Sequence, residues 1–281
     1  LAQAESSSAL ASMSADAYLI VFIGKAPSRE SAKNAPPRNL FHRPAPRATR
    51  ENESRAMAQR QIEQPADQND VISCGGRVAA SAPLSERVRV IACGAIAREV
   101  LAVCKLNNLA HVDLICLPAI WHVYPDRIAP AMRQAIAKAR DEGYGRVFIG
   151  YAECGTRGEL DKICAEEGIE RIGGPHCYAF FSGNDAFAAI TDSEFTAFYL
   201  TDLITRQFEA FVIEPLKLDK HPELIQMVFG NYTKIVYLAQ TEDADLQSKA
   251  RWAADYLGLE YEYRFTGYGD LTPAILAAAG R

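Results

Sequence analysis

The 281-residue chain has no apolar run approaching the ~20 residues that a helix needs to cross a bilayer, so no helical membrane span is expected. It has no excess of basic charge: 30 Lys and Arg face 35 Asp and Glu, a formal net charge of -5. A chain of that sign has no general attraction for phosphate backbones, and nucleic acid is not an expected partner. None of its 7 cysteines stands in a Cys-x-x-Cys pair, which removes the zinc-ribbon and thioredoxin-like signatures. Neither a Walker loop nor Gly-x-Gly-x-x-Gly occurs, so the glycines carry no strong mark of a nucleotide site.

Aromatic rings are scarce in one region. Residues 1–86 hold only Tyr18, Phe22 and Phe41, but seven of the 14 prolines. Apolar residues there are too scattered to offset the entropy of ordering the chain, and the segment reads as a disordered tail or an upstream extension. Within it, residues 25–50 carry seven basic side chains against Glu30 alone, the composition of a basic arm or targeting peptide. The apolar run at 17–24 follows Glu5 and Asp16 with no Lys or Arg before it, the wrong charge order for a secretory signal. The cysteines do not suggest a secreted disulfide framework, because the remaining chain is large enough to be stable without staples. Reduced thiols and a cytoplasmic location are expected.

From Val88 onward, short β-rich apolar runs alternate with helical periods, the pattern of an α/β domain over 87–281. Strands are expected at 88–93, 112–117, 146–151, 170–172, 234–239 and 260–265. Together they imply one mostly parallel sheet of about six strands with helices on both faces. A helix after the second strand would bury Ile128, Met132, Ala135, Ile136 and Ala139, and a later one Leu246, Ala250, Ala253 and Leu257. Thr156 and Glu159 have the spacing of a reciprocal helix cap. Residues 178–190, 195–213 and 222–229 read as helices, making a helical insertion or cap over about 178–230. Asp202 and Arg206, one helical turn apart, read as an ordinary ion pair.

Ligands of open parallel sheets bind beyond the carboxyl ends of the strands, and the unusual residues fall there. Cys93-Gly94 follows the first strand, His122 the second, Glu153-Cys154-Gly155 the third, and Gly174-Pro175-His176-Cys177 the fourth. Cys93, Cys154 and Cys177 each precede an expected helix, whose amino terminus favours thiolate over thiol. They are candidate metal ligands, with His176 as fourth ligand or supporting group. Glu153 and His122 are candidate catalytic proton carriers, and Gly94, Gly155 and Gly174 candidate points of close backbone approach to a cofactor. Soft thiolates suit zinc first and an iron-sulfur cluster second. A metal-free enzyme with one cysteine nucleophile remains open. So does a non-catalytic module that binds a small molecule or partner.

The motifs Ile91-Ala92-Cys93-Gly94-Ala95, Glu153-Cys154-Gly155, His176-Cys177-Tyr178 and Phe198-Tyr199-Leu200-Thr201-Asp202 together resemble an uncharacterised bacterial and archaeal domain-of-unknown-function family. The resemblance spans about residues 88–275. It implies a setting beside corrinoid-dependent methyltransferases, in one-carbon or methyl-group metabolism. The expected partners are then a small-molecule substrate, a thiol among the candidates, and a corrinoid protein or methyltransferase.

Overall fold

The computed structural model describes residues 72–73, 83–122, 124–190, 194 and 196–280. Its first sheet contains β1 (Ile72–Ser73), β2 (Val88–Cys93), β3 (Val112–Leu117), β4 (Arg146–Gly150) and β5 (Glu170–Arg171). Their order is β1-β3-β2-β4-β5, with all pairs parallel except β1 with β3. Every residue of β2 is buried, as a strand between two parallel neighbours and beneath helices requires. Each fully buried Val or Ile there contributes about 1.5–3 kcal/mol of transfer free energy. The helices of this half are α1 (Ala97–Leu106), α2 (Ile128–Asp141), α3 (Glu159–Glu167), α4 (Cys177–Ser182) and α5 (Asn184–Ile190). The apolar period of α2 buries Ile128, Met132, Ile136 and Ala139, the face expected from its spacing.

The α/β class and the parallel pairing agree with the sequence reading, but the strands divide between two sheets. The second consists of β6 (Ala197–Leu200), β7 (Lys234–Ala239) and β8 (Glu260–Phe265), all parallel and in that order. Helices α6 (Asp202–Arg206), α7 (Leu224–Phe229) and α8 (Ala244–Leu257) belong to it, along with a π-helical turn at Glu209–Ile213. The last helix, α9 (Leu271–Ala278), returns to the first lobe, where Leu271 and Ile275 join its core beside α1.

Strand β6 lies inside the stretch read as the helix 195–213, so that helix and a purely helical insertion are corrected. Ala-Phe-Tyr-Leu is a four-residue apolar run with no β-branched residue, and period alone cannot separate it from a buried helical segment. Its partner decides: Ala197 to Leu200 pair in register with Lys234 to Tyr237 of β7. A small cluster of Tyr178, Phe187, Tyr199, Val236 and Leu238 then packs α4 and α5 onto this second sheet.

The expected tail also changes at its end. Residues 1–71 and 74–82 lie outside the described residues, but Ile72–Ser73 pair with Asp113 and Leu114, and a 3-10 turn forms at Leu84–Glu86. Gly145 fits closely under that turn, since a Cβ there would stand 2.1 Å from the Ser85 carbonyl oxygen.

Buried charge ties the amino-terminal edge of the first sheet. Arg87 Nε and Nη2 donate to Asp113 at 2.6 and 2.5 Å, and the Tyr144 hydroxyl donates to the same carboxylate at 2.8 Å. Arg89 Nη2 donates to Glu142 at 2.8 Å, and its guanidinium lies 4.0 Å from the centre of the Tyr144 ring.

In the second lobe Glu194 accepts from Tyr199 Oη at 2.9 Å, Lys234 Nζ at 3.0 Å and Arg264 Nη2 at 2.9 Å. Burial alone would raise this carboxyl, but Arg264, Lys234 and Tyr199 hold it at about 2, below its ordinary 4.5. A depressed carboxyl contributes stability above its unfolded value that is lost as pH falls toward the folded one. Glu194→Gln should accordingly cost about 2 kcal/mol near neutral pH, a penalty that fades between about pH 4.5 and pH 2. Urea unfolding of both proteins at about pH 7 and pH 3 checks this; equal gaps at the two values would refute it.

Candidate functional site

From central strand β2 the chain passes to β3 on one side, and β4 lies on the other. The connections leaving the carboxyl ends of β2 and β4 therefore diverge, which opens a crevice at this switch in strand order. The cleft there is lined by Cys93, Ala95, Ile96, Gly150, Tyr151, Ala152, Cys154, Cys177 and Phe180. All three loop cysteines thus reach one space, which is close to the size of a single water-sized sphere.

Each sulfur is placed by its local backbone. Cys93 ends β2, and its Sγ accepts from the Ala95 amide at 3.3 Å, capping the 3-10 turn Gly94–Ile96 that leads into α1. Gly94 lets this turn approach the end of β3, because a Cβ would stand 3.2 Å from the Leu117 carbonyl oxygen. Cys154 has φ 49, in the left-handed region, within the turn between β4 and α3. Its amide donates to the Pro175 carbonyl at 3.0 Å, and the Glu153 amide donates to that of Gly174 at 2.9 Å. These two bonds carry the pairing of β4 and β5 into the following loops and bring Cys154 beside Cys177, the first residue of α4.

Tyr151, a residue that sequence reasoning left as the end of a strand, completes the cleft. Burial pushes its phenol well above the ordinary value, reinforced by Cys93 and Cys154, with the Cys93 sulfur as hydrogen-bond neighbour. Burial together with Cys177 and Cys154 likewise pushes Tyr178 well up. Both phenols are neutral near pH 7. The signal for Tyr151 was available in its position, immediately beyond the carboxyl end of a central strand.

The other expected site residues occupy different roles. Burial would raise the Glu153 carboxyl, but the amides of Gly158, Gly155 and Arg157 and the Thr156 hydroxyl hold it below the usual range. Its oxygens accept from Gly155 N at 2.8 Å, Gly158 N at 3.1 Å and Thr156 Oγ1 at 3.1 Å. A carboxylate so turned into its own loop anchors that loop and is poorly placed to carry protons. This network also replaces the expected Thr156–Glu159 cap: the residue preceding α3 is Gly158, with φ 84 and no side-chain cap. Gly155 and Gly174 have φ 78 and 103, and a Cβ on Gly174 would fall 2.0 Å from Asn184 Oδ1. These two glycines serve the turn and the packing of the loops.

His176 stacks on Tyr178, with ring centres 4.9 Å apart, and does not line the cleft. The side chain of His122 lies outside the described residues. As placed, no group of three or more His, Cys, Asp or Glu among the described residues could hold a metal ion. The cleft therefore gathers the expected thiols without presetting them as ligands. Of the remaining cysteines, Cys104 is buried in α1, while Cys116 and Cys164 are half-buried in β3 and α3.

The carboxyl edge of the second sheet carries its own polar network. Asp202 Oδ1 accepts from Tyr237 Oη at 2.8 Å and the Gln240 amide at 2.9 Å, and Oδ2 accepts from Thr241 Oγ1 at 2.5 Å. The Asp202 amide donates to Gln240 Oε1 at 2.8 Å. Asp202 thus joins β6 to β7 in place of the ordinary helix-surface ion pair with Arg206.

If Glu153 organises the Cys154 loop, Glu153→Ala should lower stability by about 2 kcal/mol through the amides it leaves unpaired. Thermal unfolding of the variant checks this, and an unchanged midpoint would show that the loop holds without the carboxylate.

No curated protein and no solved structure matches the chain. A family model described as "Protein of unknown function (DUF1638)" matches residues 116–275. That span starts in β3 and ends in α9, and it takes in the Cys154 and Cys177 loops and the whole second sheet. The chain belongs to this family of unknown function.

Proposed function

We propose that the protein is an enzyme or accessory protein of methyl-group transfer that works through a soft metal ion, zinc before an iron-sulfur cluster, held by Cys93, Cys154 and Cys177. The observation that carries this reading is the meeting of three cysteines, from three loops, around a space the size of one small ion. The donor chemistry also supports it: apart from the three thiols and one phenol, the residues lining the cleft are apolar. A bound metal ion would deprotonate its thiol ligands and polarise whatever fills its remaining position.

The chain's own residues frame that chemistry. Tyr151 supplies a neutral donor beside Cys93. Phe180 and Ile96 keep water from the sulfurs, and Glu153 holds the Cys154 loop in place. The six described cysteines are thiols and not half of a disulfide, which suits a reducing cytoplasm. Among the described residues no helix is long and apolar enough to cross a membrane. The resemblance of the motifs is the support for a corrinoid protein or methyltransferase as partner, and the open fourth position of a zinc ion on three thiolates is the support for a thiol substrate.

Because the sulfurs are not preset as ligands, a second reading has its own support: a metal-free enzyme in which one of the three is a covalent nucleophile. One experiment separates the two. Protein purified without oxygen should carry close to one equivalent of zinc, or the visible absorption of an iron-sulfur cluster, lost when all three cysteines become serine. A metal content near zero, or one unchanged in the triple variant, would eliminate the metal reading. A single thiol alkylated rapidly near pH 7 in such metal-free protein would then establish the nucleophile.

A further inference from the structure

Strands β6 and β8 are the two edges of the second sheet, and they are finished differently. All four residues of β6 are buried, whereas none of the six in β8 is. Tyr263 and Phe265 of β8 are 37% and 54% exposed, two of the five large apolar side chains so exposed among the described residues, which concentrates open apolar surface on this one strand.

The backbone shows which side of β8 is open. The amides of Glu260 and Thr266 donate to the Thr233 and Ala239 carbonyls at 3.1 and 2.9 Å, and the register with β7 between them is continuous. The alternation of a parallel ladder then turns the N–H and C=O groups of Glu260, Glu262 and Arg264 toward β7, and those of Tyr261, Tyr263 and Phe265 to the other side. No described strand lies there. The strand also has no proline, lysine or bulge, the usual guards of a bare edge.

We propose that this edge pairs with β8 of a second copy of the chain, antiparallel about a two-fold axis at Tyr263, joining two three-stranded sheets into one of six strands. The outward-facing residues then meet as hydrogen-bonded pairs on one face, Tyr263 with its own copy and Tyr261 with Phe265 on either side. On the other face Glu262 stands opposite Arg264 twice, in the closer non-hydrogen-bonded positions. Within one chain these charges already belong to a balanced cluster. Glu194 accepts from Lys234 and Arg264 at 3.0 and 2.9 Å, and Glu262 accepts from Lys234 at 2.6 Å and from Arg264. Their part in the dimer is therefore to choose the register, while the backbone bonds and aromatic pairs supply the attraction. Moving the axis one residue either way would set Glu262 against Glu262 or Arg264 against Arg264, and like charges directly opposite are destabilising. Because β6 is covered, the pairing closes at two copies. Nothing in it depends on the thiols or on a metal.

Sedimentation equilibrium of the full chain should give twice the mass of one chain. Tyr263→Lys and Tyr263→Glu each place like charges on the axis and should weaken self-association about tenfold or more, while an equimolar mixture of the two should recover the dimer. A wild-type chain that stays monomeric up to about 100 μM, single variants that associate as the wild type does, or a mixture no better than its components would overturn the proposal. Should either variant fail to fold, hydrogen exchange of the wild-type chain decides: the amides of Tyr261, Tyr263 and Phe265 should gain protection as concentration rises. Rapid exchange at every concentration overturns the proposal, and so does protection already present in a dilute monomer, which would put another segment of the same chain on the edge.

Discussion

Two backbone hydrogen bonds hold the candidate site together: Glu153 N to Gly174 O and Cys154 N to Pro175 O. Strand β5 is only two residues long, and beyond it the chain has no regular partner to continue the sheet. Without those two bonds the loops after β4 and β5 would separate, and Cys154 would lose its place beside Cys177. The left-handed turn makes them possible, with Cys154 at φ 49 and Gly155 at φ 78. A non-glycine residue in that region is uncommon and costs about 1 kcal/mol or more. Glu153 offsets that cost by accepting from the amides of the same turn. The strain, the carboxylate and the thiol thus belong to one local arrangement.

Buried polar groups also hold the first sheet. At the amino-terminal edge Arg87, Asp113 and Tyr144 satisfy one another, and Arg89 has Glu142 and an aromatic face. Buried ion pairs of this kind add little net stability, but removing one partner strands a charge and is severely destabilising. They fix the register of β2 against β3. Even so, Arg89 Nε is buried without a hydrogen-bond partner, as Glu99 Oε2 is in α1.

Much of the fold was legible because it rests on local patterns. The strands Val88–Cys93, Val112–Leu117, Lys234–Ala239 and Glu260–Phe265 coincide with continuous or alternating apolar runs, and α2 and α8 with helical periods. What escaped depends on distant partners. Strand β6 is defined by pairing with β7, and the division into two sheets by which runs pair, not by the runs themselves. That Cys93, Cys154 and Cys177 stand at one edge of the first sheet was legible from their places after its strands. Glu153 and Asp202 were not, because their roles are set by amides and hydroxyls that only the folded loops bring near. Thr156 shows the same limit: its spacing from Glu159 fits a cap, but Glu153 is closer and takes its hydroxyl.

The character of the cleft walls bears on both proposed thiol chemistries. Cys93, Cys154 and Cys177 share their space with alanine, isoleucine, glycine, phenylalanine and one phenol. A thiolate placed there would have the Ala95 amide at Cys93, the start of α4 at Cys177, and Tyr151 to stabilise it. Helix ends of this kind are worth about 1 kcal/mol, less than the several kcal/mol that desolvating an ion costs. Three thiolates lining one small cleft would also repel one another in a medium of low polarity. A divalent ion, if bound as proposed, would reverse both terms, because it would turn mutual repulsion into shared attraction and needs little space. The small volume that would exclude an ordinary organic substrate from direct contact with all three sulfurs is no obstacle to an ion.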